Sequence, residues 1–498
     1  MGGDGMTVAL LVGAAVVVAA VTAVRLSSRL GLPTLLVYLA LGVLLGEAGV
    51  GVEFEDAGLA HDLGFLALVI ILVDGGLTTT WEDLRRALPK AGSLSSLGIA
   101  VSVAVVATFA RFVLGWDWTL ALLLGAVLAP TDAAAVFATL RGMPVKERLV
   151  RVLEAESGTN DPLAVILVVG LASGWHGGGG LVAAEILYEV CAGLAGGLAL
   201  GYAGRAYLGR VALPASGLYP LAVLAFAAIA YAGTDLLGGS GFVAVYVAAV
   251  VLGNSALRHR AATLGFAEGL AWLAQIGLFV MLGLLASPDR LASAVLPALA
   301  VGLVLTLLAR PLSVLVAMAP FRTPWREQAF LSWAGLRGAV PIVLTTVPLE
   351  EGTSGAVELF DIVFVLVVLF TLVQAPTLGL AGRWLRVTEA PRPRDLRLEA
   401  APLGALDADM LHLAIGPASM LNGAEVWELR LPPKTAVTLV VRDGESFVPD
   451  RWTRLRHGDE LLIVVPHGER TAVERRIRDV SGGGTLAGWG QRAAGRST

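Results

Sequence analysis

Residues 146–173 read KERLVRVLEAESGTNDPLAVILVVGLAS. The segment is long enough to cross a bilayer, which takes about 20 mostly apolar residues of helix. Yet it carries Glu156, Asp161 and Pro162 along its length. Ionisable side chains are costly in the hydrocarbon layer and are functional candidates by default.

The rest of the chain supplies the membrane setting. Hydrophobic residues make up 56% of its 498 and charged residues only 15%, with a mean hydropathy of +0.76. Soluble domains carry about 25% charged residues. The 60 glycines suit closely packed membrane helices. The net charge of −4 argues against a nucleic-acid partner. The single cysteine, Cys191, excludes an intrachain disulfide and a Cys-based metal site. The six histidines fall in expected loops or in the C-terminal module, so no His-based metal site and no cofactor are expected. The apolar N-terminus lacks a basic flank and reads as a spanning helix rather than a cleaved signal.

About thirteen transmembrane helices are expected, near 6–26, 33–48, 62–80, 89–113, 118–140, 146–173, 181–209, 216–234, 240–256, 266–286, 291–319, 325–347 and 358–385. Seventeen Lys and Arg fall in one set of alternate connections and two, Arg111 and Arg290, in the other. Cytoplasmic loops are the basic ones. The asymmetry therefore places the N-terminus outside and the C-terminus inside the cytoplasmic (inner) membrane. The transmembrane domain spans 1–387. A Pro/Arg linker follows at 388–402, then a small α+β module at 403–478, then a disordered tail at 479–498. In the module the runs AEVWELRL, AVTLVVR and DELLIVV read as strands between turn signals.

Charges inside the spans converge in depth. With about 1.5 Å of rise per residue, Asp132, Glu156, Asp161, Arg310 and Arg337 all fall roughly 12–23 Å from the cytoplasmic side. Asp74 lies in the third span beside Gly75 and Gly76. Pro130 interrupts the fifth span, and Gly338 with Pro341 interrupts the twelfth. Two broken helices in corresponding positions point to a transporter site near the midplane. Their offset of seven spans suits inverted repeats of six helices around the seventh. A break frees carbonyls that can coordinate a cation, and Thr131 and Asp132 add a hydroxyl and a carboxylate there.

PTDAAAV (130–136), ESGTNDPLAV (156–165) and GLRGAVP (335–341) resemble the motifs of the cation:proton antiporter-1 family, of the NhaP type. The C-terminal module resembles a TrkA-C (RCK-C) domain. That combination is similar to the cell volume regulation protein A subgroup, which implies exchange of potassium for protons. The resemblance implies a homodimer in membrane lipid, with a dimer domain and a mobile core domain, and a regulatory ligand on the module. It also implies roles. Asp161 matches the ion- and proton-carrying carboxylate, and Asn160 the neighbour found in electroneutral members. Thr131 and Ser157 match ion-ligating positions and Asp132 a supporting carboxylate. Glu156 with Arg310 matches a buried ion pair. Arg337 sits at the second break, and Asp74 matches an acidic position of the third span.

The residues themselves support a secondary transporter. One carboxylate can hold a proton or a dehydrated cation, and exchange follows if only the occupied form moves between faces. A sodium/proton exchanger of the same fold is the alternative reading, and a regulated cation channel a more distant one. No TVGYG-type filter is present to build a potassium channel. No G-x-S-x-G or H-E-x-x-H motif indicates an enzyme.

Overall fold

The computed structural model describes residues 3–30, 34–47, 49, 51, 54, 56–132, 145–174, 179–388, 398–402, 408–416, 419 and 421–483. The second half of the fifth expected span (133–140), most of the linker (389–397), residues 403–407 and the tail from 484 lie outside them. The chain divides into two units, Met1–Thr388 and Glu389–Thr498.

The first unit is helical. Its helices are α1 (Gly3–Leu30), α2 (Thr34–Leu45), α3 (Ala57–Thr78), α4 (Trp81–Ser93), α5 (Ile99–Phe109), α6 (Trp118–Val127), α7 (Glu147–Ala172), α8 (Gly179–Arg210) and α9 (Leu218–Asp235). They continue with α10 (Gly241–Gly253), α11 (Arg260–Leu284), α12 (Pro288–Val304), α13 (Arg310–Met318), α14 (Trp325–Trp333), α15 (Ala339–Leu344), α16 (Thr346–Glu350) and α17 (Ala356–Trp384). Seven helical stretches among the described residues are long and apolar enough to cross a membrane, from Ala57–Thr78 to Ala356–Trp384. The 26-residue α7 is not among them, because its polar middle lowers its hydropathy.

Local chemistry sets the helix ends. Asp56 caps α3 and Asp117 caps α6, each accepting backbone N–H bonds through its carboxylate. Thr80 caps α4, with Glu82 and Asp83 in the first turn to complement the helix dipole. A π-helical segment, Leu305–Ala309, joins α12 to α13. Pro311 explains it: a proline lacks the N–H for the i−4 carbonyl and its ring crowds that turn. The widened turn ends at Arg310, which is 5% exposed.

The helices pack in two groups. α2, α3, α8, α9, α10 and α11 pack mainly on one another; α4 to α7 and α12 to α17 form the other group. In the first, α2 and α11 approach backbone to backbone. A Cβ on Gly42 would overlap the Val280 carbonyl, and one on Gly283 the Leu39 carbonyl. Only glycine permits that separation. The two groups meet chiefly along α3, α7, α10, α15 and α16. His61, expected in a loop, lies instead within α3. It faces α16, with Nδ1 3.4 Å from Thr346 Oγ1 and 3.5 Å from Glu350 Oε2.

The second unit is a small antiparallel sheet with one helix. β1 (Leu398–Pro402), β2 (Ala408–Ala414), β3 (Ala436–Arg442), β4 (Glu445–Phe447) and β5 (Glu460–Pro466) lie in the order β1-β2-β5-β3-β4. α18 (Arg470–Gly483) follows. The core gathers the alternate residues Leu411 and Leu413 with Leu461, Ile463 and Val465, and adds Val473 and Ile477 from α18. β1 occupies residues expected to be linker and pairs along β2. AEVWELRL is not a strand. Its Val426–Leu429 turn is 3-10, because Glu425 and Glu428 form a reciprocal capping box that starts a helical turn. Arg442 and Asp459 form a bidentate pair at 2.8 Å, and Asp459 is fully buried. That pairing raises the Arg442 guanidinium pKa above its usual value.

Candidate functional site

The two interrupted helices meet. α6 ends at Val127 and the chain runs non-helical through Pro130 to Asp132. α14 ends at Trp333, and residues Ala334 to Gly338 are non-helical before α15 begins. The backbone N–H of Asp132 donates to the Leu336 carbonyl at 2.8 Å, joining the two breaks. The Asp132 carboxylate rests on Gly338, where an added Cβ would overlap Oδ2. Gly338 is the N-cap of α15, so this carboxylate sits at the positive end of a half-helix. Glycine at 338 is thus a steric requirement of the crossing.

α7 runs past this crossing and presents two different faces. On one, Glu156 is 1% exposed and receives both arms of Arg310, at 2.5 and 2.9 Å. Arg310 Nη2 also donates to the Leu331 carbonyl at 3.3 Å. Gly335, in the second break, leaves room for the guanidinium: a Cβ there would lie 2.6 Å from Arg310 Nε. Bidentate, buried pairing of this kind fixes geometry and neutralises both charges.

The other face of α7 lines a cavity of about 420 Å³. Asp74, Asp132, Ser157 and Asp161 all reach it, and it extends to the α3–α4 turn at Thr78–Thr80. Asp161 is partly exposed to this space, and among the described residues its Oδ1 has no hydrogen-bond partner. Asp74 Oδ1 likewise has no partner among them. Next to Asp161, Asn160 is buried and its Nδ2 donates to Thr131 Oγ1 at 2.8 Å, while its Oδ1 has no partner among the described residues. Pro162 continues α7 without an N–H, so the Gly158 carbonyl lacks its i+4 donor. Oxygen atoms of carboxylate, amide, hydroxyl and carbonyl type thus gather at the break, the ligand set of a hard monovalent cation.

Arg337, also in the second break, is 4% exposed. Among the described residues its Nε and Nη1 have no hydrogen-bond partner, and its carbonyl accepts from Thr371 at 3.0 Å. It lies in the electrostatic neighbourhood of Glu156, Asp161 and Arg310. The five charges expected at one depth therefore divide. Glu156 and Arg310 are locked together, Asp132 and Asp161 face the cavity, and Arg337 is in the field of both sets. The cavity wall also includes Glu154 and Tyr246, which the sequence reading did not select. The signal for Glu154 was its position seven residues, or two turns, before Asp161 on one helix face.

Comparison with known proteins follows the same residues. The family model described as "Sodium/hydrogen exchanger, transmembrane" matches residues 16–384, which holds every candidate residue named above. The chain belongs to the sodium/hydrogen exchanger family. A relative named K(+)/H(+) antiporter NhaP2, from Shewanella baltica, is 35% identical over 466 residues, 91% of this chain and 80% of the relative. A K(+)/H(+) antiporter NhaP from Alkalimonas amylolytica is 38% identical over 456 residues, 89% of this chain and 79% of the relative. A Na(+)/H(+) antiporter, ApNhaP of Aphanothece halophytica, is 29% identical over 76% of each chain. Among solved structures, the sodium proton antiporter MjNhaP1 from Methanocaldococcus jannaschii shares the fold, with a TM-score of 0.68 at 22% identity. The match covers 77% of this chain and all of that one. This family member is accordingly a multi-pass membrane transporter of the cation/proton antiporter class.

Proposed function

We propose that the protein exchanges a monovalent cation, potassium in preference to sodium, for a proton across the cytoplasmic membrane by competition at Asp161. The observation that carries this reading is the Asp161 carboxylate facing the cavity beside the Thr131–Asn160 hydrogen bond, its Oδ1 without a partner among the described residues. A carboxylate so placed binds a proton or a cation, and the two are exclusive. Asn160 adds no second titrating charge, so one proton replaces one cation and the cycle is electroneutral. Ser157, Thr131 and Asp132 ligate or support the ion. Asp74 adds negative charge to the cavity, and Arg337 compensates charge at the break. The family relatives named for potassium, at 35–38% identity, favour that ion. The sodium reading draws on the more distant Aphanothece relative.

Two helix groups meeting at the cavity suit alternating access, with the group holding α7 moving against the other. The cavity reaches the α3–α4 turn, beside Arg85 and Arg86, so this state is open to the cytoplasm under the charge-derived orientation. Thirteen spans, inverted six-helix repeats around α8 and a homodimer complete the arrangement. So does an RCK-C-like module, over 403–478, that biases the populated state through a small ligand. The test is dequenching of a pH-sensitive dye in everted vesicles on addition of potassium, sodium, lithium and rubidium in turn. The reading expects the largest response to potassium and no dependence on an imposed membrane potential. A response to sodium alone would reassign the ion, and a clear dependence on potential would remove the one-for-one exchange.

A further inference from the structure

The cavity has a wall residue from the other helix group. Tyr246 of α10 is 7% exposed, and its ring lies on α7 at Gly158, one turn before Asp161. A Cβ on Gly158 would lie 2.6 Å from both Cζ and Oη of Tyr246, well inside van der Waals contact. A glycine inside a helix is less stable than alanine, so its use there calls for a reason, and the ring supplies one. The backbone behind the ring is fixed. A Cβ on Gly76 of α3 would lie 2.6 Å from the Ala249 Cβ and 2.9 Å from the Tyr246 carbonyl oxygen, so α10 is seated directly on α3. Tyr246 therefore projects from the first helix group onto the bare turn of the helix that carries Asp161. Its hydroxyl lies in the field of Asp161 and Glu154 and within reach of the Thr79 side chain.

We propose that Gly158 and Tyr246 form the sliding contact between the two helix groups, with Tyr246 positioning the Asp161 turn of α7 as that helix moves. The proposal rests on the alternating-access reading above. A flat ring passes over a turn without a Cβ, whereas a methyl group at 158 would catch on it. The contact acts on movement rather than on ion binding, so it sets the maximal rate and leaves the apparent KM alone.

The experiment measures potassium-driven proton flux in proteoliposomes of the wild type, Gly158→Ala and the double variant Gly158→Ala/Tyr246→Leu, over a range of potassium concentrations. Gly158→Ala lowers the maximal rate about tenfold or more, with the apparent KM within about twofold, because a conformational step has been slowed. The double variant recovers at least about threefold over Gly158→Ala, since the smaller side chain clears the added methyl. A double variant no faster than the single one overturns the proposal, as does a change in KM at constant maximal rate. Should Gly158→Ala fail to accumulate in membranes, Tyr246→Trp makes the test from the other side. A larger ring over an intact Gly158 slows the maximal rate, and an unchanged rate overturns the proposal. A wild type without any cation-dependent proton flux would instead remove the antiport reading, and this contact with it.

Discussion

The two faces of α7 handle buried charge in opposite ways. Glu156 has both oxygens bonded to Arg310 and almost no exposure, while Asp161, five residues along, has an oxygen without a partner among the described residues and opens on a cavity. The first arrangement holds the two charges together in a fixed geometry. The second leaves a carboxylate whose partner is to be supplied from outside the protein. The difference separates a charge that holds the fold from the charge proposed to carry the exchange, although both sit in one helix about 7.5 Å apart along its axis.

Substitution on the open face tests the contrast most strongly. Asp161→Asn keeps the shape and removes the titrating charge, so cation-dependent proton flux in vesicles should fall to background while the protein still inserts. The opposite pattern is expected on the closed face. Glu156→Gln or Arg310→Met alone leaves an unpaired buried charge and should cost about 3–5 kcal/mol of stability, read from denaturation of the purified protein in detergent. The double variant should cost less than the sum of the two, and simple additivity would mean that the pair is not coupled.

Smaller effects sharpen the boundary between the faces. Thr131→Val deletes the hydroxyl that accepts from Asn160 at 2.8 Å. Removing this oxygen from beside Asp161 should raise the apparent potassium KM roughly fivefold, and leaving the buried Asn160 amide unpaired should cost about 1–3 kcal/mol of stability. The least effect is expected at Asn254, just past α10. Its Oδ1 accepts from the Trp81 N–H at 2.7 Å, and its Nδ2 donates to the Thr79 carbonyl at 2.8 Å, pinning the turn where the chain passes between the helix groups. Asn254→Ala should lower the maximal flux by about two- to threefold without moving KM, since it loosens a hinge outside the ion site.

Much of the closed face was legible in the sequence. Pro130, Gly338 and Pro341 announced the interruptions, and the matched depths of Glu156 and Arg310 anticipated their contact. Helix rise alone puts residues at a level, however, and does not say which face of a helix they occupy. That is why five charges read as one site when the structure divides them. The seat of Asp132 on Gly338 and the Tyr246 ring over Gly158 depend on side chains from segments more than 80 residues apart, so no local pattern reveals them. His61 was placed in a loop because the expected start of the third span, residue 62, fell five residues late; α3 begins at Ala57, under the Asp56 cap. In the second unit, hydrophobic alternation identified AVTLVVR and DELLIVV, but the capping box within AEVWELRL outweighed the same pattern there.

The central claim is that one carboxylate serves the proton and the cation in turn. It is tested most directly by measuring the apparent potassium KM of the reconstituted wild type at several pH values, equal on both sides of the membrane. Acid loads the carboxylate with protons. On the acidic side of its titration the KM should therefore rise about tenfold per pH unit, while the rate at saturating potassium stays nearly constant. A KM independent of pH, with the maximal rate changing instead, would mean that proton and cation occupy different sites and would contradict the account.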